Sequence, residues 1–244
     1  PMSTSKIALV TGANKGIGFE TAHQLGKLGI HVLVAARDRA KAEAAALALQ
    51  TQDISAEALT LDVTSAASIF EAVKTVSEKH GRLDILINNA GVLLDAADKK
   101  PSEQSMEVWR KTFDTNLFGL VSVSNAFLPL LKKSAAGRIV NLSSILGSNT
   151  LHQQPGSGIY DFKIPAYNIS KSAVNAWTVH LAHELKDTAI KVNAAHPGHV
   201  QTDMGGVNAP MAIADGAKTS VLLATLPADG PTGSYSHMGQ TLPW

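Results

Sequence analysis

The chain has 244 residues, 45% of them hydrophobic, and a formal net charge of +1. That length and apolar content suffice for a sizeable buried core, while near-neutral charge without a Lys/Arg cluster among aromatics excludes a nucleic-acid surface. Zero cysteines exclude disulfides, thiolate metal centres and a cysteine nucleophile, and no apolar run reaches the roughly 18 residues of a membrane span.

Short apolar runs alternate along the chain with longer segments of helical period. "KIALVT" (Lys6–Thr11) reads as a strand, followed by a Gly-rich turn and a helix to about Leu28. "HVLVAA" (His31–Ala36) is the second strand, and Asp38 is placed to cap the Ala-rich helix that follows it. "AEALTLDV" (Ala56–Val63), "LDILIN" (Leu83–Asn88), "GRIVNLS" (Gly137–Ser143) and "IKVNAAH" (Ile190–His196) supply four more strands, each separated from the next by a helix-length segment. Near-continuous Val/Ile/Leu runs alternating with helices indicate a doubly wound parallel sheet covered on both faces, a Rossmann-type α/β fold. No linker or repeat divides residues 1–244, so one domain is expected to carry both cofactor and substrate sites. With no charged-then-apolar leader before the first strand, a cytoplasmic location is expected.

The turn "TGANKGIG" (Thr11–Gly18) lies between the first strand and the first helix. Gly12 can make the sharp turn, and Gly16 and Gly18 leave backbone N–H groups uncovered where the helix begins. That is a cradle for a pyrophosphate, backed by the helix dipole. Asn14, Lys15 and Ile17 belong to the same cradle. About 20 residues further on, where an acid would select NAD, the chain has Ala36 and then Arg37, whose planar fork suits a phosphate. Lys15 adds a second cation, so NADPH/NADP+ is the expected cofactor.

A second stretch, "AYNISK", puts Tyr167 and Lys171 four positions apart, hence one above the other on a helix face. A free phenol has a pKa of about 10. A neighbouring ammonium would lower it towards the range useful for acid–base work.

"TGANKGIG", "NNAG" (Asn88–Gly91), the serine closing "IVNLSS" (Ser144) and "YNISK" occur in that order. Together they resemble the short-chain dehydrogenase/reductase family over Lys6 to about Met204, and "GANKGIG" and "AARD" resemble its NADPH-dependent carbonyl reductase branch. The resemblance implies hydride transfer between the nicotinamide and a small carbonyl compound, as in reduction of aldehydes or ketones to alcohols. Tyr167 would be the general acid, Lys171 would lower its pKa and hold the nicotinamide ribose, and Ser144 would hydrogen-bond the carbonyl oxygen. Asn116 would help hold a water linking Lys171 to solvent. Asn89, Ala90 and Gly91 would line the cofactor, and Asp62 and Val63 would meet the adenine. In "HPGHVQT", Pro197, Gly198, Val200 and Thr202 would hold the nicotinamide end. A homo-oligomer, dimer or tetramer, is compatible with the resemblance.

Several alternatives stand beside these readings. Ser143 competes with Ser144, and Asn116 can be an amide satisfied inside its own helix. His180 and His183 have a metal-ligand spacing without a third ligand, so surface histidines and no metal are expected. A 3-oxoacyl-type reductase or a secondary alcohol dehydrogenase fits the same motifs, and a dinucleotide sensor without turnover is the non-enzymatic reading. The segment "ILGSNTLHQQPGSGIYDFKIP" (Ile145–Pro165) lacks periodicity. It is expected either to wall the substrate mouth with Leu151, Tyr160, Phe162 and Ile164, with His152 nearby, or to pack as a surface excursion.

Overall fold

A computed structural model describes residues 5–244. Eight strands form one sheet in the order β3-β2-β1-β4-β5-β6-β7-β8. The first six are those expected, with trimmed ends: β1 (Ile7–Val10), β2 (His31–Ala36), β3 (Ala56–Thr60), β4 (Ile85–Asn88), β5 (Arg138–Leu142) and β6 (Lys191–Ala195). All of them pair in parallel. Two further strands extend the edge: β7 (Tyr235–His237), parallel to β6, and β8 (Gln240–Thr241), antiparallel to β7.

Strand alternation sorts the core into two layers. Leu9, Leu33, Leu86, Ile139 and Val192 face one side, packed with residues of α3 (Ala66–His80), α5 (Leu120–Leu131) and α7 (Pro165–Glu184). Val10, Val34, Ile87 and Val140 face the other, against α1 (Gly16–Lys27), α2 (Arg39–Gln50) and α8 (Lys218–Ala224). With both faces covered, strands can be apolar at consecutive positions, which is the run pattern seen in the sequence.

The strand order reverses between β1 and β4. Beyond the carboxyl ends at such a switch point an open α/β sheet leaves a crevice for a ligand. Between α4 (Met106–Phe113) and α5 the chain winds one π-helical turn, Asp114–Gly119. Turns of this kind often mark functional sites. The expected unstructured Ile145–Pro165 segment instead contains a 3₁₀ turn (Ile145–Gly147) capped by the Ser144 hydroxyl. It also contains a one-turn helix, α6 (Asn149–His152), capped by Ser148.

Candidate active site

The N-terminus of α1 faces the switch-point crevice. α2, α3 and α4 each begin on a side chain, that of Asp38, Ser65 and Ser105 respectively, that accepts from a backbone N–H of the first turn. α1 does not. Its N-cap Lys15 makes no side-chain hydrogen bond to the helix, and its first turn holds no acid. The first N–H groups of a helix have no partner within it, so these donors and the positive end of the dipole are left for an anion. Gly12 (φ 58°) and Gly16 (φ 60°) adopt the left-handed region that the turn needs. A Cβ at Gly18 would lie 2.4 Å from Asn89 Nδ2 and 2.6 Å from Gly12 O, so only glycine lets the helix approach this closely. Residues of this kind fit a pyrophosphate.

The turn is tied to the end of β4. Asn89 Nδ2 donates to Thr11 O and Gly12 O at 3.0 and 3.1 Å, and Thr11 Oγ1 accepts from the N–H groups of Asn89 and Ala90 at 3.0 Å. Arg37 stands exposed at the end of β2, and among the described residues no carboxylate pairs with it. Lys15 differs: its Nζ pairs with Asp203 at 2.9 Å, both side chains being exposed. Asp62 Oδ1 accepts from the backbone and hydroxyl of Thr64 at 2.9 and 2.7 Å, and Val63 is buried beside it. A Cβ on Gly119 would lie 2.9 Å from Val63, so the π-helical turn packs on this strand end.

Three polar side chains gather past the end of β5. Ser144, Tyr167 and Lys171 are 8%, 8% and 4% exposed. Burial pushes the Tyr167 phenol up to about 12, opposed by a smaller effect of its hydrogen bond to Ser144. Burial pushes the Lys171 ammonium down to about 8. Lys171 Nζ lies 5.6 Å from the centre of the Tyr167 ring and donates to Leu142 O at 3.0 Å. Desolvation therefore outweighs the lowering of the phenol expected from a lysine one turn away. The choice between the two serines is explained by direction: Ser143 Oγ turns inward to Asn175 Oδ1 at 2.7 Å, and Ser144 meets the tyrosine.

The Asn116 side chain, in the π-helical turn, bonds within the protein. Its Oδ1 accepts from Val92 N at 2.8 Å, and its Nδ2 donates to Val92 O and Ser170 Oγ at 2.9 and 3.1 Å. It thus pins the chain after β4 to α7. Gly91 lies between it and the lysine, since a Cβ there would be 3.5 Å from Asn116 Oδ1 and 3.6 Å from Lys171 Nζ.

On the far side, Gly198 (φ 100°) has no room for a side chain, because a Cβ would meet Met211 Sδ at 2.6 Å. Pro197 and Val200 are buried, and Thr202 lies 3.7 Å from the Cβ position of Gly16. His180 and His183 are exposed. Tyr160 and Phe162 are 38% and 60% exposed, with Lys163 Nζ 5.2 Å from the Tyr160 ring centre. His152 braces its own segment, contacting Leu146 O and Lys163 Nζ at 2.8 and 3.0 Å.

Four residues not singled out in the sequence support this corner. Asp95, 9% exposed, accepts from the N–H groups of Ala166 (2.9 Å) and Tyr167 (3.0 Å), capping α7 with a negative charge where the dipole is positive. The buried Tyr235 hydroxyl donates to the carbonyl of Ser144. His196, held neutral by burial and by His237 with its pKa down at about 3, accepts from Ile145 N at 3.0 Å. Thr11 Oγ1 ties the chain after β4 to the glycine turn by accepting from Asn89 N and Ala90 N. Only His196, beside the Pro-Gly turn, and Thr11, opening the glycine turn, had a sequence signal.

A parallel sheet with an uncapped glycine cradle and a buried serine, tyrosine and lysine at one edge defines a dinucleotide-dependent oxidoreductase. The chain belongs to the short-chain dehydrogenase family: the profile described as "short chain dehydrogenase" matches residues 6–212. It is 39% identical to "Short-chain dehydrogenase anuI" of Penicillium roqueforti over 91% of this chain and 89% of that one. It is 33% identical to "Carbonyl reductase [NADPH] 1" of Mus musculus over 100% of both chains. Among solved structures, the NADPH-bound carbonyl reductase from chicken fatty liver superposes with a TM-score of 0.85 at 28% identity, covering 98% of this chain and 99% of that chain.

Proposed function

We propose that this protein reduces aldehydes or ketones to alcohols with NADPH. The observation carrying the reading is the buried Ser144–Tyr167–Lys171 group beside a cradle left open for an anion. Arg37 at the end of β2, where an acid would favour NAD, supports the phosphorylated cofactor. So does the likeness to carbonyl reductases named for NADPH.

The cofactor, when bound, supplies the hydride that reaches the carbonyl carbon. The N–H groups of the Gly12–Gly18 turn would hold its pyrophosphate, and Asn89, Ala90 and Gly91 would line its bed. Asp62 and Val63 would border the adenine, and Pro197, Gly198, Val200 and Thr202 the nicotinamide. Ser144 donates to the carbonyl oxygen and orients it. Tyr167, kept protonated by burial, would give that oxygen its proton as the carbonyl carbon is reduced. Lys171 stabilises the phenolate left behind, and Asn116 fixes the loop that closes over Lys171.

Tyr167→Phe tests the assignment, since it keeps the ring and removes the proton. NADPH affinity should stay within a few-fold while turnover on a panel of aldehydes and ketones falls at least about 100-fold. Retention of half the turnover would overturn the role given to Tyr167.

A further inference from the structure

The opposite edge of the sheet carries a second polar cluster that the reaction does not use. His31 opens β2, Glu57 lies at the start of β3, and His80 ends α3, which runs back to the amino ends of the strands. Three separate elements thus bring two imidazoles to one carboxylate. His31 Nε2 lies 3.0 Å from Glu57 Oε1, and His80 Nε2 contacts the same oxygen. The three donor atoms lie within 4.8 Å of one another, and this is the one such group among the described residues.

We propose that His31, Glu57 and His80 form a binding site for a single divalent transition-metal ion of the zinc class, with one coordination position left to water. Two imidazoles and a carboxylate are a donor set that such ions favour. Metal–ligand bonds of about 2.0–2.1 Å put tetrahedral donors roughly 3.3 Å apart, so small rotations convert the hydrogen-bonded cluster into a ligand set. The supports for those ligands are already built. Ser55 Oγ contacts His31 Nδ1 at 2.6 Å, holding the ring with Nε2 turned to the carboxylate, as second-shell partners of metal-bound histidines do. Lys79 Nζ sits 3.3 Å from the other carboxylate oxygen, Oε2, leaving Oε1 to the imidazoles. The side chains are only 18%, 26% and 19% exposed, so their directions are set by packing. The imidazole rings are 5.3 Å apart at 49°, a splayed pair with the carboxylate between them. Because the site lies at the amino ends of the strands, away from Tyr167, the ion would clasp β2, β3 and α3 together and take no part in hydride transfer.

The test is titration of the chelator-treated protein at pH 7.5 with Zn2+ by calorimetry and with Co2+ by visible absorbance. One ion should bind per chain, and a free Zn2+ concentration about ten times Kd should raise Tm by about 3–5 °C. His31→Gln with His80→Gln should abolish that ion, while His180→Gln with His183→Gln, on the exposed face of α7, should leave it. If the first pair folds poorly, His80→Gln alone should weaken binding at least tenfold, by loss of one of three protein ligands. Binding that survives the first pair, or that disappears with the second, would overturn the site. So would one chain binding no ion at all, in which case the cluster is a hydrogen-bonded charge network only.

Discussion

Asp95→Asn isolates how far the acid at position 167 depends on the helix that carries it. The substitution preserves the shape of the side chain but leaves one carbonyl oxygen where two carboxylate oxygens now accept from Ala166 and Tyr167. Either N–H of α7 then faces an amide NH2 group. A hydrogen bond to a charged group contributes about 1.5–3 kcal/mol, and the site is nearly buried, so solvent does little to replace it. At about 2–4 °C per kcal/mol for a protein of this size, Tm should fall by about 3–12 °C. Tyr167 is itself one of the two donors, so fraying the first turn moves the phenol relative to Ser144. Misplacement of about 1 Å at a reacting group costs on the order of 100-fold. Turnover should therefore drop about 10- to 100-fold, with NADPH affinity held within about threefold because the glycine cradle is untouched. Thermal melts, fluorescence titration with NADPH and steady-state kinetics below the new Tm read the three quantities separately. A lower Tm with unchanged kcat would show that Asp95 only holds the helix, and an unchanged Tm would refute the magnitude.

Two further expectations follow from charges at the site. Arg37→Asp should reduce or reverse the preference for NADPH over NADH, by roughly 10- to 150-fold for loss of a charged hydrogen bond; equal thermal shifts with both cofactors in the unaltered protein would remove the argument. For pH, Lys171 keeps its charge below about 8 and Tyr167 its proton to about 12. The kcat/KM for reduction, which reports the free enzyme, should therefore be level near neutrality and decline above about 8. The stability contribution of Lys171 has the opposite sign: its folded pKa lies below the ordinary lysine value of 10.5, so the unfolded chain holds more protons between about 8 and 10.5 and stability rises with pH there. A kcat/KM profile still level at a pH well above 8 would contradict the lysine assignment.

The sequence revealed those parts of the fold whose residues are selected by local physics. Six strands were legible because each is a run of apolar residues buried on both faces. β7 and β8 were not, since "YSH" and "QT" are short and polar and gain strand geometry only by pairing onto β6 and each other. The glycine turn was legible because positive φ and close approach demand glycine, and its helix N-terminus lacks the cap that its neighbours have. Asp95 was invisible: its partners are backbone N–H groups 71 and 72 positions away, and backbone groups leave no side-chain signature. The one-turn helix α6 and its preceding 3₁₀ turn rest on Ser148 and Ser144 as caps; Ser148 reads in sequence simply as a loop serine, and Ser144 was legible for its place after the strand, not for its cap. The Lys15 pairing with Asp203 was equally hidden, because it joins loops 188 positions apart.

The Tyr235 bond to the Ser144 carbonyl also orders events during synthesis. The hydroxyl that steadies this corner is added 91 positions after the serine. At about 5–20 residues per second, Ser144 waits roughly 5–18 s for its partner. From the completion of β6 at Ala195 until Tyr235 is made, β6 is the growing edge of the sheet, with the row of backbone groups that β7 will cover still unpaired. The emerging polypeptide can assemble its cofactor cradle long before it can fix its serine. A slow codon run before Tyr235 would lengthen the time during which that edge is open to pairing with another chain.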